Sequence, residues 1–228
     1  MADQTRDRIA VALDVDDLVA ATRIAKQVRE WVGVAKVGLE LYSAVGPDAV
    51  IALHDLGFKV FADIKLHDIP TTVGRAARVF GSLGVRYLNF HAAGGEAMLR
   101  AGVEGLLEGA ANADAEEPPS PLAVTVLTSD VDAPASLLSE RAGIAAAAGC
   151  VGVVCAVPDI ATIRSVAPGL LCVTPGIRPA GADLNDQARA ATPAEARDAG
   201  ADLLVVGRPI TAAADPAAAA AAIHASLA

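Results

Sequence analysis

Val60-Phe61-Ala62-Asp63-Ile64-Lys65-Leu66-His67-Asp68 opens as an apolar run and turns charged only over its later residues. An apolar run without early polar alternation reads as a strand covered on both faces, the condition of strands in a parallel sheet. Successive strand side chains point to opposite faces, so Asp63 and Lys65 share one face while Ile64 and Leu66 share the other. The apolar pair can pack outward against helices, which leaves the charged pair pointing inward at the carboxyl end of the strand. In an α/β barrel that is the end where chemistry is done.

Outward from this segment, short aliphatic runs alternate with longer runs of helical period along the chain. The strand candidates are Ile9 to Val15, Ala35 to Leu41, Val60 to Leu66, Tyr87 to Ala92, Ala123 to Thr128, Val151 to Val157, Leu171 to Pro175 and Leu203 to Gly207. Helical candidates lie between them, among them Asp17 to Trp31, Pro47 to Leu56, Thr72 to Leu83, Glu96 to Glu108 and Pro134 to Ala148. Several open on start signals, such as Thr192-Pro193 with Glu195 and Asp215-Pro216. Eight units of about 28 residues predict an α/β chain of the (β/α)8 TIM-barrel class, a single domain over residues 1–228. A doubly wound open sheet is the alternative, but no Gly-x-Gly-x-x-Gly follows the first strand.

The composition agrees. Of 228 residues, 54% are hydrophobic, and 18 Lys and Arg stand against 27 Asp and Glu for a net charge of −9. That excludes disorder, collagen and a small disulfide scaffold, and it lacks the basic footprint of a general nucleic-acid binder. An anion would have to be held by a few placed cations. Cys150, Cys155 and Cys172 lie in apolar segments and read as buried reduced thiols. The start of the chain does not read as a signal peptide, and the uncharged stretch from Ala142 to Pro158 is broken by Gly149, so a cytoplasmic protein without a membrane span is expected. No His and Cys positions have metal-ligand spacing, so no metal is expected.

Other charges fall at strand ends. Asp14 closes the first strand candidate and Lys36 lies in the second, so three consecutive strands deliver Asp14, Lys36, Asp63 and Lys65, with Asp68 just beyond. A self-satisfying ion network is the plain reading, but buried ion pairs contribute little net stability, and such a cluster points to function. Gly207-Arg208 follows the eighth strand, where barrels commonly bind phosphate, with a glycine for close approach and a guanidinium fork for the oxygens. The Thr174 to Ala191 segment, with Arg178 and Gln187, is expected to be a phosphate-closing lid. His91 alternates inward with Asn89 and reads as a hydrogen-bonded structural group rather than a base.

Taken together these residues resemble the orotidine 5′-phosphate decarboxylase family. The resemblance rests on Ala12-Leu13-Asp14, Lys36-Val37-Gly38, Phe61 to Pro70, Asn89 to Gly95, Val126 to Ser129, Thr174 to Pro179, Asp186-Gln187 and Val206 to Ile210, all in order. Thr71 departs from it, standing where many members have Asn. The resemblance implies cofactor-independent decarboxylation of orotidine 5′-monophosphate to uridine 5′-monophosphate, with Lys65 protonating C6 in an alternating array with Lys36, Asp63 and Asp68. It implies that Asp14 and Lys36 bind ribose, Thr128 and Ser129 line the base, and Arg178, Gln187, Gly207 and Arg208 hold the phosphate. It also implies a homodimer in which Asp68, Ile69 and Thr72 reach the neighbouring site. The alternatives are a metal-dependent sugar-phosphate decarboxylase or synthase of the same suprafamily and a catalytically silent nucleotide-binding barrel.

Overall fold

In the computed structural model, residues 5–130, 132–179 and 189–227 are described. Eight parallel strands run β1 (Ile9–Ala12), β2 (Val34–Gly38), β3 (Lys59–Leu66), β4 (Tyr87–His91), β5 (Ser120–Val124), β6 (Gly152–Val154), β7 (Leu171–Thr174) and β8 (Leu203–Val206). Each pairs with the next, and β1 pairs with β8 through Ile9 and Leu204, Ala10 and Val205, and Val11 and Val206. The sheet is therefore a closed barrel, and the open-sheet alternative falls.

The helices between the strands are α1 (Leu18–Val28), α2 (Leu39–Val45), α3 (Asp48–Asp55), α4 (Pro70–Ser82), α5 (Gly95–Asn112), α6 (Ala135–Ala147), α7 (Ile160–Val166), α8 (Pro193–Asp198), α9 (Arg208–Thr211) and α10 (Pro216–Ala225). Local chemistry sets many of their starts. The Asp17 carboxylate accepts from the N–H groups of Val19 and Ala20, Thr192 and Glu195 form a reciprocal capping box, and Asp215 accepts from Ala218 N–H. Several strands end earlier than the sequence reading expects, β1 at Ala12 rather than Val15 and β6 at Val154 rather than Val157, and two further differences change what the residues do. The second strand stops at Gly38, and Leu39 to Val45 form a helix that buries Leu41, so the aliphatic residues past Gly38 serve a helix face. The fifth strand runs from Ser120 to Val124, which moves Thr125 to Thr128 into the loop above it.

Strand alternation divides the core into two layers. Outward residues such as Ile9, Val11, Ala35, Val37, Val60 and Leu88 pack with the helices, together with all three cysteines, which are free thiols. Inward residues, including Ala10, Ala12, Val34, Phe61, Leu122, Val124, Val154, Val173, Leu203 and Val205, fill the barrel with an apolar plug. The tightest helix contact joins α4 to α5. A Cβ at Gly105 would run into the carbonyl of Gly74, and one at Gly109 into that of Arg78. Among the described residues, no helix is long and apolar enough to cross a membrane.

Candidate active site

The apolar plug ends where the site begins. Two residues along the chain from Ala12, Val34, Phe61, Tyr87 and Val205 stand Asp14, Lys36, Asp63, Asn89 and Gly207, the first and last just past their strands, and together they place a polar layer at the carboxyl ends. Asp14, Lys36, Asp63 and Lys65 line one cavity of about 380 Å³ with Ala12, Phe61, Val124, Thr128, Gly176, Arg178, Gly207 and Arg208 among its other walls. That volume suits a small ligand.

At one side of the cavity the charges form a continuous alternating chain. Lys36 Nζ donates to Asp14 Oδ1 at 2.9 Å and lies 3.3 Å from Asp63 Oδ2, while Lys65 Nζ donates to Asp63 Oδ1 at 2.6 Å. Asp14 lies open to solvent, Lys36 is buried, and Asp63 and Lys65 are partly covered. Burial pushes the Asp63 carboxyl pKa up, but the two ammonium groups and hydrogen bonds from Lys65 and Asn89 outweigh it and hold the carboxyl below its ordinary value. Asp63 therefore stays ionised between two cations. Lys65 reaches this position through an irregular β3, which slips against β4 between Ala62 and Leu66, with Lys65 at φ +54°. The charged pair shares a face as expected, although a bulge rather than regular alternation puts it there.

The same cavity is walled beyond β7 and β8 by Arg178 and Arg208. Arg178 is buried, donates through one terminal nitrogen to the Ile177 carbonyl, and leaves Nε without an acceptor. Burial first and then the nearby Arg208 charge lower its pKa. Two guanidinium groups facing one cavity, one of them buried, form an anion site by charge and by donor supply. Gly207 adds no side chain to this wall, and a Cβ there would point toward Ala12 and Asp14.

The remaining expected residues divide. Thr128 lines the cavity, whereas Ser129 lies exposed on the adjoining loop and outside the lining. Asp68 is exposed, bonds the N–H of Ile69, and forms no ion pair among the described residues. Ile69 and Thr72 are exposed beside it at the start of α4. Gln187 and the 180–188 part of the expected lid lie outside the described residues. His91 Nδ1 accepts from Ala93 N–H, and its ring stacks on His67 at 5.3 Å. Burial, then Arg141, His67 and Lys65, lower its pKa, in keeping with a neutral structural group.

Residues 7–223 match the family model described as "Orotidine 5'-phosphate decarboxylase / HUMPS family". The chain belongs to that family. It is 49% identical over 232 residues to an orotidine 5′-phosphate decarboxylase of Anaeromyxobacter sp. strain K, covering 97% of this chain and 98% of that protein. It is 47% identical over 237 residues to one from Moorella thermoacetica, covering 97% and 92%. Among solved structures, the orotidine 5′-phosphate decarboxylase of Lactobacillus acidophilus matches with a TM-score of 0.82 at 34% identity, covering 97% of this chain and 99% of that one.

Three features of this family member's mouth escaped the sequence reading. A Cβ at Gly38 would lie 3.0 and 3.1 Å from Asp14 Oδ1 and Lys36 Nζ, so a side chain there would crowd the charged tips of the pair. Arg189 bonds both oxygens of the buried Asp159 at 2.9 Å and the carbonyls of Leu127 and Thr128, tying together the loops after β5, β6 and β7. Asn89, fully buried, donates to Asp63 and accepts from the backbone of Lys65. Only Asn89 carried a signal, its inward parity; the others depend on distances between segments far apart in sequence.

Proposed function

We propose that this chain decarboxylates orotidine 5′-monophosphate to uridine 5′-monophosphate and CO₂ without a cofactor. The observation that carries the reading is one cavity lined both by an alternating Asp14, Lys36, Asp63, Lys65 chain beyond β1, β2 and β3 and by the Arg178 and Arg208 pair beyond β7 and β8. A nucleoside monophosphate spans such a cavity with its phosphate on the guanidinium groups and its base toward Lys65. Gly207 lets the phosphate approach the backbone, and Gln187, on the segment assigned as a lid, adds a further contact. Asp14 and Lys36 face the ribose, and Thr128 and Ser129 border the base.

Loss of CO₂ leaves the bonding electron pair on C6 as a vinyl carbanion. A fixed ammonium at that carbon stabilises the developing charge where it forms, and Lys65 then transfers a proton to C6 and regains one from water. Asp63 keeps Lys65 in place through its 2.6 Å hydrogen bond and faces the departing carboxylate. Lys36 holds Asp63 and Asp14 together, so the array is preorganised before substrate enters.

The assembly we assign is a homodimer in which Asp68, Ile69 and Thr72 border the neighbouring site. Ile69 is 65% exposed next to an Asp68 that pairs with no cation in its own chain among the described residues, a combination suited to a partner surface. The site residues extend from Asp14 to Arg208, so we treat the chain as one functional domain. We place it in the cytoplasm, consistent with three buried free thiols.

The test follows the ultraviolet absorbance of orotidine monophosphate with purified protein and excess chelator. Prompt loss of the orotate chromophore is the expected result. Binding of uridine monophosphate without turnover, or turnover of a sugar phosphate only with added magnesium, would overturn the reading.

A further inference from the structure

Among the described residues, Asn89 is the one fully buried amide in the polar layer, and it touches both working groups without lining the cavity itself. Ala62 pairs with Leu88 and Leu66 with Phe90, so β3 takes four steps where β4 takes two, and Asn89 stands opposite that slack. Within it Lys65 adopts φ +54°. For a residue with a Cβ this left-handed backbone costs about 1–2 kcal/mol and needs support from its surroundings.

The support comes from one side chain. The Lys65 N–H donates to Asn89 Oδ1 at 2.7 Å, and Asn89 Nδ2 donates to Asp63 Oδ1 at 2.7 Å. The orientation of the amide is dictated by its partners, because a backbone N–H only donates and an ionised carboxylate only accepts. Asp63 Oδ1 is thus gripped between the Asn89 amide and the Lys65 ammonium, which lies at 2.6 Å. The backbone that aims the lysine and the carboxylate that orients its tip are fixed by the same planar group.

We infer that Asn89 is a positioning residue for proton delivery, holding the bulged backbone of Lys65 and the carboxylate of Asp63 in one rigid arrangement. This rests on the decarboxylase reading above. Asn89 acts through Lys65 and Asp63 and touches neither phosphate nor base, so its loss should damage the chemical step and spare nucleotide binding. A displacement of about 1 Å at a reacting group costs on the order of 100-fold in rate.

The experiment uses the whole chain with Asn89→Ala and Asn89→Ser, read by kcat and KM for orotidine monophosphate, the Kd of uridine monophosphate, and thermal melting. The expected result is a folded N89A protein with kcat lower by about 100-fold, and with KM and the product Kd within about threefold of wild type. Serine cannot span both partners, so N89S should show the same split and carries the test if N89A fails to fold. A folded variant with kcat within about threefold of wild type would overturn the inference, as would kcat and product affinity falling in parallel, the mark of a generally loosened mouth. Wild-type protein that binds uridine monophosphate without turning over orotidine monophosphate would instead overturn the decarboxylase reading, and this inference with it.

Discussion

Asp63 stands under opposing pressures, and the balance has a measurable sign. Burial favours its neutral form, while Lys36, Lys65 and the Asn89 amide favour the anion and prevail. A carboxyl whose folded pKa lies below its unfolded value contributes stability that is present above the ordinary Asp value near 3.8 and is lost as pH falls through the folded value. The stability of wild type relative to Asp63→Asn should therefore rise between about pH 2 and about pH 5 and stay level above about pH 6. Chemical denaturation of both proteins across that range checks it, and a constant gap would contradict it. Lys36, Asp63 and Lys65 were legible in the sequence because they interrupt otherwise apolar strands with inward parity. Gly38 and Arg189 were not, because their importance rests on a 3.0 Å approach to Asp14 and on an ion pair with Asp159, thirty positions away in the chain.

At the level of elements, all eight strands were legible, since each pairs aliphatic content with a following helix, but their ends were not. Leu39 and Leu41 extend the apolar run of β2, and only the turn into α2 at Gly38 separates them from it. The closeness of α4 and α5 was likewise hidden, because glycines at 74, 105 and 109 matter only once the helices touch. Gly105→Ala drives a methyl group against the Gly74 carbonyl and should destabilise the fold by about 1–3 kcal/mol, as overpacked contacts do. Urea denaturation measures this, and an unchanged midpoint would contradict the packing account.

Over the whole molecule, a net charge of −9 coexists with four cations gathered at one end of the barrel, Lys36, Lys65, Arg178 and Arg208. The acidic balance belongs to the protein at large and the four cations to a single cavity, so an acidic composition is compatible with a local site for an anion. Phosphate held far from C6 still contributes to rate if that binding energy fixes the base against Lys65. Arg208→Ala should accordingly lower kcat as well as raise KM, and a change confined to KM would show that phosphate binding is not used in the chemical step. The central claim is that one ammonium, set in a preorganised ion chain, supplies the chemistry. Its most direct test is turnover of orotidine monophosphate by Lys65→Ala, with uridine monophosphate binding measured on the same protein. The account predicts product binding retained and kcat reduced by at least about 1,000-fold, the combined reach of lost proton transfer and lost charge stabilisation. A Lys65→Ala protein that kept wild-type turnover would contradict it.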